Sequence, residues 1–190
     1  MITSRIIALV VFLLSFASVV ASDAYQIDNF LISHQSVSFV EKGMTIGEVL
    51  HLLPSRQVQK IVSHGEFEDD LYDDYLIFDS EMNHVFTLTP HVRNNLESEI
   101  NRVLIEDQRF RTASDIGLGS TFEEIMAQYP NVKASPDMEV IVLHVDELNS
   151  WHSIDKKHLL DGWWDDYRRE IKMDKIPPTA KTETFVLWWN

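Results

Sequence analysis

Two twelve-residue segments that resemble each other constrain the fold of this chain more than any other feature. Gly43–Pro54 reads GMTIGEVLHLLP and Gly119–Pro130 reads GSTFEEIMAQYP, an offset of 76 residues. Four of the twelve positions are identical, and three more are apolar in both segments. Similarity at a fixed offset is the signature of an internal duplication, so the sequence predicts two related units.

Each segment also predicts a short amphipathic helix. Thr45 and Glu48 in one segment, and Thr121 and Glu124 in the other, have the spacing of a capping box, in which each side chain accepts a hydrogen bond from the other residue's backbone amide. Apolar residues follow at positions i, i+3, i+4 and i+7, which lie on one face of a helix. A proline closes each segment and ends the helix, because the residue before a proline disfavours the α conformation.

Strand patterns follow both helices. Asp74–Thr89 and Glu139–Asp155 read as β-hairpins that turn at an Asp-to-Asn step. Further strands are predicted at Phe30–Ser33, Val37–Val40, Val58–Val62, Arg102–Asp107 and Thr184–Trp189, and further helices at His91–Ile100 and Asp155–Arg169. We therefore predict an α+β fold of two fused repeats, each a short capped helix packed on an antiparallel sheet. Repeat 1 would span residues 22–98, and repeat 2, with a C-terminal helix and strand, residues 99–190.

The first 21 residues read as a secretory signal peptide. The stretch Ile6–Ala21 follows Arg5 and carries no charge. It is shorter than the about 20 apolar residues of a membrane-spanning helix and ends in small residues. We predict cleavage near Ala21 and a periplasmic or secreted protein with no stable membrane anchor; an uncleaved N-terminal anchor is the alternative.

The absence of cysteine and the acidic net charge exclude several classes of function. With no cysteine in the chain, disulfides, thiolate metal sites, a cysteine nucleophile and a lipidated cysteine are excluded. The formal net charge of −14 repels phosphate backbones, so we predict no nucleic-acid partner. The same charge suits a cationic partner or calcium, or serves only solubility.

The residues Gly43-Met44-Thr45, Val49 and Leu53-Pro54 resemble the opening of the small periplasmic assembly lipoproteins of the outer-membrane β-barrel machinery, the SmpA/OmlA type. The tandem layout of helix and sheet also resembles the β-lactamase-inhibitory protein type. Gly117–Thr121 is similar to a GxGST-helix unit of uncharacterised exported proteins of Bacteroidetes. These resemblances imply a non-catalytic scaffold that binds a protein.

An acidic stretch with interleaved aromatic residues is the first candidate partner-binding segment. It runs from Glu66 to Tyr75 and is expected to be a loop that leads into a strand. Calcium prefers six to eight oxygen ligands, but the spacing here is not that of a calcium loop and has no internal glycine. We predict a solvated loop in preference to a metal site. The alternative is a segment that binds a basic partner surface, with the candidate residues Glu68, Asp69, Asp70, Tyr72, Asp73, Asp74 and Tyr75.

The tryptophans form the second candidate surface, since all five fall in the last forty residues. Neighbouring residues of a strand point to opposite faces, so Trp188 and Trp189 cannot both be buried by one sheet face. Indoles serve as sugar platforms or as anchors for proteins. We select Trp163, Trp164 and Trp189 as candidate partner-binding residues.

No catalytic or metal-binding motif accompanies these features. His144, His152 and His158 lack the HExxH spacing, and no GxSxG occurs. We therefore predict no catalytic residue, no metal ligand and no cofactor. The sequence favours a non-enzymatic binding or assembly module of the periplasm or cell envelope that engages a protein. A carbohydrate-binding protein that uses the Trp-rich C-terminal third, and a hydrolase or metal-dependent enzyme that uses the acidic residues, are the alternatives.

Overall fold

The protein is represented by a computed structural model that describes residues 24–65 and 69–189. The predicted signal peptide, residues 1–21, and the candidate residue Glu68 lie outside the described residues. Within those two ranges, no helix has both the length and the apolar character needed to cross a bilayer.

Strands dominate the described chain. The first eight are β1 Leu31–Ile32, β2 Ser36–Val37, β3 Val40–Glu41, β4 Val58–His64, β5 Leu71–Phe78, β6 His84–Pro90, β7 Ile100–Ile105 and β8 Arg111–Thr112. The remaining ones are β9 Lys133–Asp137, β10 Val140–Val145, β11 Ser150–Asp155, β12 Trp164–Asp165, β13 Glu170–Ile171 and β14 Thr184–Trp188. The α-helices are α1 Ile46–Leu52 and α2 Phe122–Gln128, and single 3-10 turns lie at Ser55–Gln57, Asp146–Leu148, Lys156–His158 and Met173–Lys175.

One eight-stranded antiparallel sheet organises the fold, in the order β4-β5-β6-β7-β14-β11-β10-β9. A small sheet of order β3-β2-β1-β8 and a β12-β13 hairpin complete the strand pairing. Both helices and the small sheet contribute side chains to one hydrophobic core with the large sheet. Fully buried examples are Ile46 of α1, Ile125 of α2, Ile32 of β1, Phe86 of β6 and Phe185 of β14.

Both predicted helix starts are confirmed. Thr45 and Thr121 each accept a hydrogen bond from the backbone amide of a glutamate three residues on, and each glutamate side chain accepts from the threonine amide. In both helices the first amides find acceptors outside the helix: Ile46 donates to Ser98, and Phe122 to Ala180. The sequence therefore predicts these local structures correctly, because each depends on contacts within one turn.

The predicted fold class is wrong. We expected an α+β protein of two fused repeats, each a short capped helix on its own antiparallel sheet. The described chain is instead mostly β, and its long strands join in a single sheet because β14 pairs with β7 on one side and with β11 on the other. The two helices have seven residues each and cover only part of one face of that sheet.

The prediction of two further helices, at His91–Ile100 and Asp155–Arg169, is also wrong. In His91–Ile100, Asp73 binds the backbone amide of Asn94, and the carbonyls of Leu96 and Ser98 accept from the first amides of α1. These groups are therefore unavailable for a helical ladder. Asp155–Arg169, the predicted C-terminal helix, contains a 3-10 turn and the strand β12, and its backbone reverses at Gly162 and Arg169, which have positive φ angles.

Both predicted hairpins are present, as β5-β6 and β10-β11. Strand β9 was not predicted from the sequence. It contains Pro136, and proline is disfavoured in a central strand. The structure accommodates this proline because β9 is an edge strand of the large sheet.

The caps provide a test of local stability. We expect Thr121→Ala to lower the free energy of unfolding by about 1 kcal/mol, because it leaves the amide of Glu124 without its acceptor. Thr121→Ser keeps the hydroxyl and should be close to wild type. Chemical denaturation of the three proteins measures the difference, and equal stability of the alanine and serine variants would contradict the assignment.

A buried histidine makes the folding stability of this protein depend on pH. His152 is fully buried, its ring centroid lies 4.2 Å from that of Phe185, and its Nε2 is 3.0 Å from the Ser150 hydroxyl. Burial lowers the pKa of His152 from 6.5 to about 3. The unfolded chain then binds the proton more readily than the folded one, so this residue's contribution is fully present above pH 6.5 and is lost as the pH falls toward 3.

We expect His152→Gln to reduce this loss. Between pH 6.5 and pH 4.5, the titration of His152 should remove about 2 kcal/mol of stability from the wild type. Urea denaturation at both pH values should show that the variant loses about that much less. The matched control is His158→Gln, at a half-exposed position, which should follow the wild type. Parallel pH curves for the wild type and His152→Gln would refute this assignment.

Candidate functional site

The large sheet has a second face, opposite the helices, which we call the open face. Successive residues of a strand alternate between faces. Since Phe185 and Leu187 of β14 are in the core, Val186 and Trp188 lie on the open face. Their strand partners, Leu104 and Arg102 on β7 and Trp151 on β11, share that face.

An aromatic row crosses the open face, composed of Tyr72, Arg102, Trp188, Trp151 and His144. The Arg102 guanidinium lies 4.7 Å from the Tyr72 ring centroid and 6.0 Å from that of Trp188. The Trp188 and Trp151 rings are 4.9 Å apart, and the Trp151 and His144 rings 5.2 Å apart. Trp151 is 43% exposed. The row therefore forms a continuous surface supplied by β5, β7, β14, β11 and β10.

A hydrogen-bonded carboxylate fixes Arg102. Arg102 Nη2 lies 3.0 Å from Asp74 Oδ1, and its Nε donates to the Thr89 hydroxyl at 3.1 Å. Asp74 also accepts from the hydroxyls of Thr89 and Ser63. Charge-assisted bonds of this kind are stronger than neutral ones, so the guanidinium is held in place between Tyr72 and Trp188.

At the other end of the row, His144 pairs with a serine. The Ser135 hydroxyl lies 2.7 Å from His144 Nε2. Burial lowers the pKa of His144 from its ordinary value and so favours the neutral ring. A serine nucleophile needs a base that is itself oriented by a third group. The nearby carboxylate of Asp146 instead pairs with Lys133 Nζ at 2.7 Å.

The acidic candidate segment divides between the two faces. Asp73 points to the core side of β5, where it is buried and contacts Lys60 Nζ at 2.7 Å, Arg93 Nε at 3.2 Å and the Asn94 amide at 2.8 Å. Burial alone would raise the pKa of Asp73, but these hydrogen bonds hold it below its ordinary value. Asp73 and Asp74 thus lie on opposite faces and cannot bind one cation together.

The remaining residues of that segment have different surroundings. Asp69 and Asp70 are exposed in the turn before β5, whereas Tyr75 is buried in the core. The expected loop is in fact a strand from Leu71 onward. Of the predicted partner-binding residues, Tyr72 belongs to the aromatic row, and Asp74 binds Arg102 of that row.

The three candidate tryptophans do not lie together in one surface. Trp189 is only 2% exposed, and its backbone amide donates to Asn101. Trp163 and Trp164 pack against the hydrophobic core and line a shallow pocket of about 360 Å³ with Pro136, Gly162 and Asp166. As alternation predicts, Trp188 and Trp189 do not share one face: Trp188 is half-buried on the open face, and Trp189 is in the core. The burial of Trp189 contradicts its selection as a candidate partner-binding residue.

Four of the five members of the row were not among the predicted site residues: Arg102, His144, Trp151 and Trp188. Arg102 lies inside a predicted strand, and His144 inside a predicted hairpin, with no local motif to single them out. The available signal is positional: charged or aromatic residues that alternate with fully apolar ones, as in Leu143-His144-Val145, mark the face away from the core.

No protein-family model matches this chain, and no curated protein matches it. Among solved structures, the fold is similar to the crystal structure of the uncharacterized protein yfeY from Escherichia coli, with a TM-score of 0.55 and 9% sequence identity. The match covers 83% of this chain and 99% of that chain. At this identity the likeness is one of fold alone.

Proposed function

We propose that this chain is a non-enzymatic binding module of the periplasm or cell envelope that engages a protein partner through its open sheet face. The aromatic row carries the proposal. Tryptophan, tyrosine and arginine are the residue types most enriched among those that dominate protein–protein binding energy. Here all three residue types share one surface, as Tyr72, Arg102, Trp151 and Trp188, and Trp151 is the most accessible of the four.

The rigidity of the row favours binding. Each ring contacts its neighbour, and Arg102 is bonded to both Asp74 and Thr89. Side chains that are already ordered lose little conformational entropy when a partner binds. A location on central strands further limits their motion, so the surface is prepared for its partner.

Protein is favoured over a glycan by the ring geometry. The Trp151 and Trp188 planes are inclined at 55°, and His144 and Trp151 at 77°, so these rings do not form one flat platform. The polar groups beside them are also committed to partners inside the protein: Asp74 to Arg102, and His144 to Ser135. A sugar needs both stacking and free hydrogen-bonding groups.

The predicted signal peptide suggests the cellular setting of the proposal. A chain exported in this way would meet its partner outside the cytoplasm, and without cysteine it neither needs nor forms disulfides there.

The row can be tested by site-specific photo-crosslinking in living cells. A photoreactive phenylalanine analogue at position 151 should give a discrete adduct with a protein, whereas the same analogue at Met138, which is 83% exposed, should not. Once the partner is identified, Trp151→Ala should weaken its binding on the order of tenfold to a hundredfold, because truncation of a central aromatic residue costs about 2 kcal/mol. Met138→Ala should bind like the wild type.

A fluorescence titration with envelope glycans provides the opposing test. We expect no saturable change of tryptophan emission. Saturable binding of a glycan that disappears in Trp151→Ala would contradict the protein-partner proposal.

A further inference from the structure

The two edges of the large sheet differ in a way that bears on assembly. At one edge, β9 contains Pro136, which cannot donate a backbone hydrogen bond, and β13 lies against it. At the other edge, β4 runs for seven residues in regular register with β5 and contains no proline. In the described part of the chain, no strand pairs with the outer side of β4.

Strand β4 presents one accessible apolar side chain on each of its faces. Ile61 is 38% exposed and Val62 47% exposed, and they point to opposite faces of the sheet. A long accessible edge with apolar side chains is a template for another strand, and proteins that avoid such pairing block it with proline, charge or a bulge. The β9 edge is blocked by Pro136. Strand β4 has no proline, and the charge of Lys60, the one formally charged residue within β4, is paired with Asp73 of the neighbouring strand at 2.7 Å.

We propose that β4 pairs antiparallel with β4 of a second copy of this chain, centred on Ile61. In this register Ile61 faces its own counterpart, Lys60 faces Val62, and Gln59 faces Ser63. No like charges stand opposite each other, and the exposed side chains of Ile61 and Val62 become covered.

The charges at the two ends of the strand are complementary in this arrangement. An antiparallel pair brings the beginning of one β4 beside the end of the other. Arg56, which precedes β4 and is exposed, then lies toward the exposed Asp69 and Asp70 that follow β4 of the second copy. The chain has a net charge of −14, so the cations Arg56 and Lys60 at this edge offset part of the repulsion between two copies.

Pro136 and β13 prevent strand addition at the β9 edge, so the assembly is a closed dimer. A head-to-tail contact of β4 with β9 would propagate into a filament, but Pro136 and β13 oppose it. A contact of β4 with itself uses the same surface on both copies and ends at two. The two large sheets then form one continuous sheet, with an aromatic row on each side of the dyad.

Cysteine crosslinking tests this register, because the chain contains no cysteine of its own. Ile61→Cys places a thiol at the dyad, where opposite Cα atoms lie about 5 Å apart, within disulfide reach. Mild oxidation should convert most of the protein to a covalent dimer. Gln59→Cys places the thiol on the same face, two residues away.

The Gln59→Cys thiol would be about 14 Å along the strand from its counterpart, too far for a disulfide. We therefore expect at least tenfold less covalent dimer from Gln59→Cys, and recovery of the crosslink in the double variant Gln59→Cys/Ser63→Cys. Equal crosslinking of the two single variants, or none from Ile61→Cys, would overturn the proposal.

Sedimentation velocity of the purified chain tests the association without a crosslink. We expect a monomer–dimer equilibrium that Ile61→Lys weakens at least tenfold, since two like charges then meet at the dyad. The control Met138→Lys adds the same charge at an exposed turn and should associate like the wild type. A chain that stays monomeric at all concentrations, or whose β4 pairs with a strand of a different protein instead, would disprove the dimer.

Discussion

The pairing of β14 on both of its sides is the interaction on which the rest of the structure depends. This strand comes from the end of the chain yet lies between β7 and β11, where Val186 is paired with Leu104 and with Trp151. Phe185 and Leu187 complete the core, while Trp188 on the other face completes the aromatic row. Without β14, the strands β4–β7 and β9–β11 would have no common sheet, so one strand provides both stability and surface.

A single asparagine holds the end of that strand. Asn149 accepts the backbone amide of Trp188 at 2.9 Å, and its side-chain amide donates to the Trp188 carbonyl. Its left-handed backbone, with φ of 51°, is one that asparagine tolerates better than most residues. The Asp-to-Asn turn that the sequence marks as a hairpin connection therefore also anchors a strand distant in sequence, which a pattern confined to a few residues does not reveal.

The sequence was informative where a structure is decided within a few residues. The capping threonines and the hairpin turns belong to this class. It failed at His91–Ile100, where Asp73 and the first amides of α1 use the backbone groups that a helix would need. The fold class failed for the same reason, since the joining of the strands into one sheet depends on pairing between distant segments, which the local pattern leaves open.

In the candidate site, too, local pattern predicts some features of single side chains, while others depend on pairing between distant strands. Alternation predicts that two adjacent tryptophans lie on opposite faces, but only the register of Leu187 with Val103 decides that Trp188 is the one on the open face. That register also sets Arg102 beside Trp188 and, through Thr89, beside Asp74. The surface is thus a product of strand pairing rather than of a loop sequence. Because Arg102, Trp188 and Trp151 stand on the central strands β7, β14 and β11, a change that disturbs the backbone beneath them also disturbs the core on the opposite face.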